Sequence, residues 1–170
     1  MSGIITMEAD LEKCIAFLNG IGIQILFKKL DAGCFLPGLT IENGILLVDR
    51  PALKYPGDIL HEAGHIAVVQ AADRPGLNTI SLEQRKDREA EEMMAIAWSY
   101  AACVHLNIDP HFVFHDHGYQ NGGRQIAENF SNKRYIGLPM LQWIGLTADK
   151  KNAAVLQVPP FPHMIKWMRE

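Results

Sequence analysis

His61-Glu62-Ala63-Gly64-His65 is the stretch of this chain whose residue types and spacing could do chemistry. On an α-helix, side chains four apart lie on one face, about one turn from each other. Both imidazoles can then reach one cation. Glu62, between them, is close enough to that face for its carboxylate to reach a water on the same cation. Composition alone would produce this spacing about 0.02 times in a chain of 170 residues. The bland alternative is a helix that carries two histidines by accident.

Two imidazoles need a third protein ligand, and a hydrolytic zinc ion also keeps a position open for water. Helical spacing selects the candidate. With Glu92 as reference, Ala95, Ile96, Ser99 and Cys103 share its face. That face should be buried, and a carboxylate heading a buried stripe is a costly misfit unless it binds something. Glu92 is therefore the expected third ligand and Glu89, one turn earlier, the runner-up. Glu91 points about 100° away and is expected in solvent, and Asp87 is a more distant choice. The expected cofactor is one Zn2+, held by His61, His65 and Glu92. Nickel, cobalt or manganese would suit the same donors.

The chain resembles the ImmA/IrrE metallopeptidases, a gluzincin family. The resemblance runs from about Ile21 to Tyr100. It rests on Gly38 to Asp49, on Ile59-Leu60 leading into His61-Glu62-Ala63-Gly64-His65, and on Glu92-Met93-Met94-Ala95. In such families a glutamate followed three places on by a small residue supplies the third ligand, and Glu92 with Ala95 matches that. Trp98 falls where a bulky residue is usual. Ile96 stands where Asn or Asp is common. The resemblance implies a zincin-like α+β fold and zinc-dependent hydrolysis of peptide bonds.

A second histidine group, His111, His115 and His117 with Asp116, precedes Tyr119. His111 and His115 share the i, i+4 spacing, but the residues between them offer no base. These rings read as the polar end of a short helix. The alternatives are a hydrogen-bond donor to the reaction's oxyanion, a wall of the substrate cleft, or a second metal site. His105 and His163 read as packing or surface residues.

Several elements must position these groups. Leu11, Cys14, Ile15 and Leu18 recur at helical spacing, predicting a first helix from about Glu8 to Leu18, stopped by Asn19-Gly20. Apolar runs at Ile21–Phe27, Cys34–Leu36 and Gly44–Val48 predict strands, and Asn43-Gly44 is a strong hairpin signal. Together they predict a small, mainly antiparallel sheet. Pro56-Gly57-Asp58 opens a helix expected to run to about Ala72. Ser81 with Gln84 suggests a capping box that introduces the longest helix, Leu82 to Leu106. Shorter helices are expected after Asp109-Pro110, over Arg124–Phe130 and over Pro139–Leu146. The tail beyond is expected to be extended, packing by Phe161, Ile165 and Trp167. The reading is one metallopeptidase-like domain over 1–170. Its first part (1–80) carries the sheet and the motif helix, and its second (81–170) is helical with the extended tail.

Composition narrows the function further. The formal net charge is −3, with no basic stripe of the kind nucleic acids require. No segment approaches the ~20 apolar residues that span a bilayer. The first ten residues lack a basic region and a long apolar stretch, so they do not read as a signal peptide. Cys14, Cys34 and Cys103 are odd in number and far apart, which reads as reduced thiols. The expectation is a cytoplasmic, narrow-specificity peptidase in which Glu62 activates a water on zinc. Its partner would be a peptide or protein substrate, paired with the sheet edge, and neither a nucleic acid nor a membrane. The alternatives are a metal-binding regulatory or sensor protein that cleaves nothing, and an interaction protein with an accidental motif. A retained Glu62 argues against the sensor, which needs no base.

Overall fold

The computed structural model describes residues 2–31 and 33–170, with side chains described from Met7 onward. Its class is α+β. Helix α1 spans Ser2–Gly20, longer at its N-terminal end than the apolar spacing suggests, and ends where Asn19-Gly20 breaks the pattern. Three strands follow: β1 (Ile25–Phe27), β2 (Leu39–Glu42) and β3 (Ile45–Val48).

The sheet is mixed, not mainly antiparallel. Its order is β1-β3-β2, with β2 antiparallel to β3 and β1 parallel to β3. Asn43 and Gly44 adopt positive φ (54° and 73°), which a two-residue hairpin turn needs. They join β2 to β3 as expected. Phe27 and Leu39 are both level with Val48, so the connection from Lys28 to Gly38 starts and finishes at one end of the sheet and leaves a place between β1 and β2 that β3 fills, parallel to β1. Within that connection Cys34–Leu36 is not a strand. Leu36 makes a single bridge to Leu39. The outward N–H groups of β2 are occupied: Leu39 donates to Leu36 O at 3.2 Å and Ile41 to Thr79 Oγ1 at 3.1 Å. A substrate strand therefore finds no free donor at those two positions.

Helix α2 (Asp58–Val68) carries the histidine motif and is buried nearly all round. It touches α1, β2, β3 and, most extensively, α4. It stops short of Ala72 because other groups take its last carbonyls, which would otherwise be orphaned. Arg74 Nε donates to Ile66 O (3.2 Å), Arg169 N to Ala67 O (2.9 Å) and the Arg169 guanidinium to Val68 O (3.3 Å). Pro75 and Gly76 lie in a separate 3-10 turn, Arg74–Gly76.

The expected long helix is two. Helix α3 is Thr79–Gln84 and α4 is Arg88–Leu106, with Arg85 extended between them. Asn78, not Ser81, is the N-cap of α3. Asn78 Oδ1 accepts from Ser81 N, and Ser81 Oγ accepts from Asn78 N. Glu89 and Glu91 in the first turn of α4 suit its positive end.

Asp109-Pro110 opens a 3-10 turn only, Pro110–Phe112. Helices α5 (Gly123–Ser131) and α6 (Leu138–Trp143) occur near their expected places. Helix α7 (Lys150–Leu156) was not anticipated. Asp149 caps it by accepting from Asn152 N. The tail then runs without further helix. Phe161 is buried, Ile165 is 38% exposed, and Trp167 stacks edge-on against Phe17 and Trp98. The buried Trp98 indole donates to Trp167 O at 2.9 Å, so its one polar atom is satisfied. The tail thus binds both α4, through Trp98, and the end of α2, through Arg169. Among the described residues no helix is long and apolar enough to cross a membrane.

Candidate metal centre

Helices α2 and α4 approach closely at Gly64. A Cβ there would lie 2.9 Å from Ala95 O and 3.2 Å from Ala95 Cβ, so only a glycine facing a small residue permits the contact. That approach sets Glu92, one turn before Ala95, opposite the two histidines. His61 Nε2 and His65 Nε2 stand 3.2 Å apart. Glu92 Oε1 is 3.5 Å from His61 Nε2, and Oε2 is 3.2 Å from His65 Nε2. Donors about 2.1 Å from a tetrahedral cation are themselves about 3.4 Å apart. The three edges therefore match one coordination shell, with no side chain needing to move far. Among the described residues this is the one group of three or more His, Cys, Asp or Glu side chains that converges in this way.

The donor chemistry fits a divalent cation as well. Burial drives the His61 imidazole down to about 4, with His65's charge adding to the effect and Glu92 opposing it. Its lone pair is therefore free at neutral pH. His65 is raised: burial works against the proton, but a hydrogen bond to Glu92 and the charges of Glu62 and Glu92 outweigh it. Burial would raise the Glu92 carboxyl, yet the hydrogen bond from His65 and the charges of His61, His65 and Arg88 bring it down to about 2. Burial thus disfavours a proton on His61, while the neighbouring carboxylates favour one on His65. Nδ1 of both histidines is buried without a partner. The two rings are therefore held by packing rather than by outer hydrogen bonds.

Glu62 is buried beside these ligands, and burial pushes its carboxyl up to about 7. Asp58 and Glu92 push in the same direction, while His65 pulls against them. The whole group lines a cleft of about 1280 Å³ together with Asp58, Tyr119 and the Phe35-Leu36-Pro37 segment. A smaller hollow of about 500 Å³ between Phe27 and Pro51 holds no such cluster.

Other expected residues fall elsewhere. Glu89 lies on the cleft wall, exposed and outside the cluster. Glu91 is 4% exposed rather than solvated, because Arg85, in the break between α3 and α4, holds its carboxylate at 2.8 Å. Asp87 is the exposed N-cap of α4. His111 is exposed and bonds Asp109, matching the bland reading, whereas His117, also exposed, lines the cleft beside Tyr55, as the cleft-wall alternative has it. His115 differs: its Nε2 bonds Asp58 Oδ1 at 3.0 Å. Asp58 and Tyr119 have no site role in the sequence reading, which places them only at a helix start and after the second histidine group. Asp58, one turn before His61 on the same helix, could have been found by spacing. Tyr119 reaches the site only through a loop fold that no local pattern encodes.

Compared with family models, with curated proteins and with solved structures, the chain matches none.

Proposed function

We propose that this chain is a metal-dependent hydrolase of peptide bonds, with His61, His65 and Glu92 as ligands and Glu62 as general base. The observation that carries the reading is the convergence of the three donor groups at 3.2–3.5 Å, with a buried carboxylate poised near neutrality beside them. A zinc ion held there would supply Lewis-acid polarisation of the scissile carbonyl and of the attacking water.

The chain's own groups account for the rest. Glu62, near pH 7, accepts a proton from water as its oxygen attacks the amide carbon. The same proton then passes to the leaving nitrogen, so the C–N bond breaks to give a carboxylate and an amine. The mouth of the cleft, bordered by exposed Phe35 and by Tyr55, offers apolar surface to an extended substrate. The resemblance to ImmA/IrrE metallopeptidases supports the same assignment. A metal-sensing role without hydrolysis would leave the buried, destabilising Glu62 without a purpose.

The test is turnover of a fluorogenic peptide library by zinc-loaded protein, with and without chelator. Cleavage that the chelator abolishes and added zinc restores is the expected result. Stoichiometric zinc with no cleavage of any member would refute the hydrolase reading.

A further inference from the structure

The Tyr119 hydroxyl is a buried polar atom with no hydrogen-bond partner, a costly state for a phenol. Its ring stands edge-on to His61, 5.2 Å between centroids. Tyr119 shares the lining of the cleft with Asp58, Glu62 and Glu92, and a phenol O–H is a donor. The backbone that carries it is unusual. Tyr119, Gln120 and Asn121 adopt φ of 54°, 54° and 67° in succession, a conformation that L side chains rarely take. Gly118 and Gly122 bound this stretch. Such strain persists only when the surroundings over-determine it, and it gathers at functional sites.

The surroundings here are specific. His115 is wedged between the Tyr55 ring, stacked at 4.3 Å, and Gly118, where a Cβ would meet the imidazole at 3.1 Å. Its Nε2 bonds Asp58 Oδ1 at 3.0 Å, tying the loop to the first turn of α2, one turn before His61.

We propose that Tyr119 is a further catalytic residue, donating its hydroxyl hydrogen to the carbonyl oxygen of the bound peptide. The Asp58–His115 pair is the pin that positions it. Held there, the hydroxyl meets the oxygen on which charge develops. This rests on the hydrolase reading above.

Tyr119→Phe tests it with three readouts. Turnover should fall by about 10²-fold, the loss typical of removing one oxyanion donor, with KM nearly unchanged. A peptide phosphonate, which mimics the tetrahedral species, should bind the zinc-loaded variant at least 10-fold more weakly than the parent protein, by about the ratio lost in turnover. The chelated variant should melt at the same temperature or higher, because the lost hydroxyl had no partner. Unchanged turnover and phosphonate affinity, or a lowered melting temperature, would overturn the assignment. For the pin, Asp58→Asn keeps an acceptor for His115 and should retain most turnover, whereas Asp58→Ala should lose as much as Tyr119→Phe. Equal losses in the two would overturn the positioning role. If the parent protein holds zinc yet cuts no peptide, the hydrolase reading falls, and this inference with it. If the parent is active and Tyr119→Phe matches it, only the inference falls.

Discussion

Replacing Glu62 by glutamine should stabilise the metal-free protein while abolishing its activity. The carboxyl is 8% exposed, and its folded pKa is about 7 against an ordinary value of 4.5. A folded pKa above the unfolded one means that the native state favours the protonated form. The associated stability is fully present below pH 4.5 and is lost as pH rises through 7. One pKa unit is worth about 1.4 kcal/mol, so the ionised group costs the native state about 3 kcal/mol by pH 8. Glutamine has the shape of the protonated acid at every pH. Urea unfolding of chelated protein should therefore show Glu62→Gln more stable than the parent by up to about 3 kcal/mol at pH 8, with the gap narrowing below about 1 kcal/mol at pH 5. A chain of this length should gain several degrees in Tm at the higher pH. The same variant should bind zinc and turn over no peptide. A variant less stable than the parent at pH 8, or a gap that ignores pH, would refute the reasoning about the burial of Glu62. Loss of zinc from the variant would contradict its role as a base outside the ligand set.

Two further outcomes follow from the same cluster. The carboxylates around His65 favour a proton there that zinc must displace, so binding should release protons and affinity should fall as pH drops. Titration calorimetry in two buffers of different ionisation enthalpy measures this, and equal heats in both would contradict it. Gly64→Leu drives a side chain into the Ala95 backbone, so it should part α2 from α4 and lower zinc affinity at least 10-fold, read by chelator competition. Undiminished affinity would show that the close approach is not what sets Glu92.

The site was more legible in the sequence than the fold around it. His61 and His65 could be paired because four residues is a helical turn, and Glu92 because Ala95, Ser99 and Cys103 mark its face as buried. Both rules are local and periodic. The parallel placement of β1 is not local: Ile25–Phe27 is an apolar run that would look the same in either direction. The break between α3 and α4 was hidden because Arg85-Lys86-Asp87 contains no helix breaker. Only the bond from Arg85 to Glu91 reveals why the chain turns there, and the same bond explains the buried Glu91. The early end of α2 depends on Arg169, a residue 101 positions beyond the Val68 carbonyl it caps. Asp58 and His115 meet across 57 residues for reasons of tertiary packing alone.

A zinc-soaked crystal, with diffraction collected on both sides of the zinc absorption edge, tests the central claim most directly. One anomalous peak should appear about 2.1 Å from His61 Nε2, His65 Nε2 and a Glu92 oxygen. A peak held instead by His111 or His117, or no peak between α2 and α4, would contradict it.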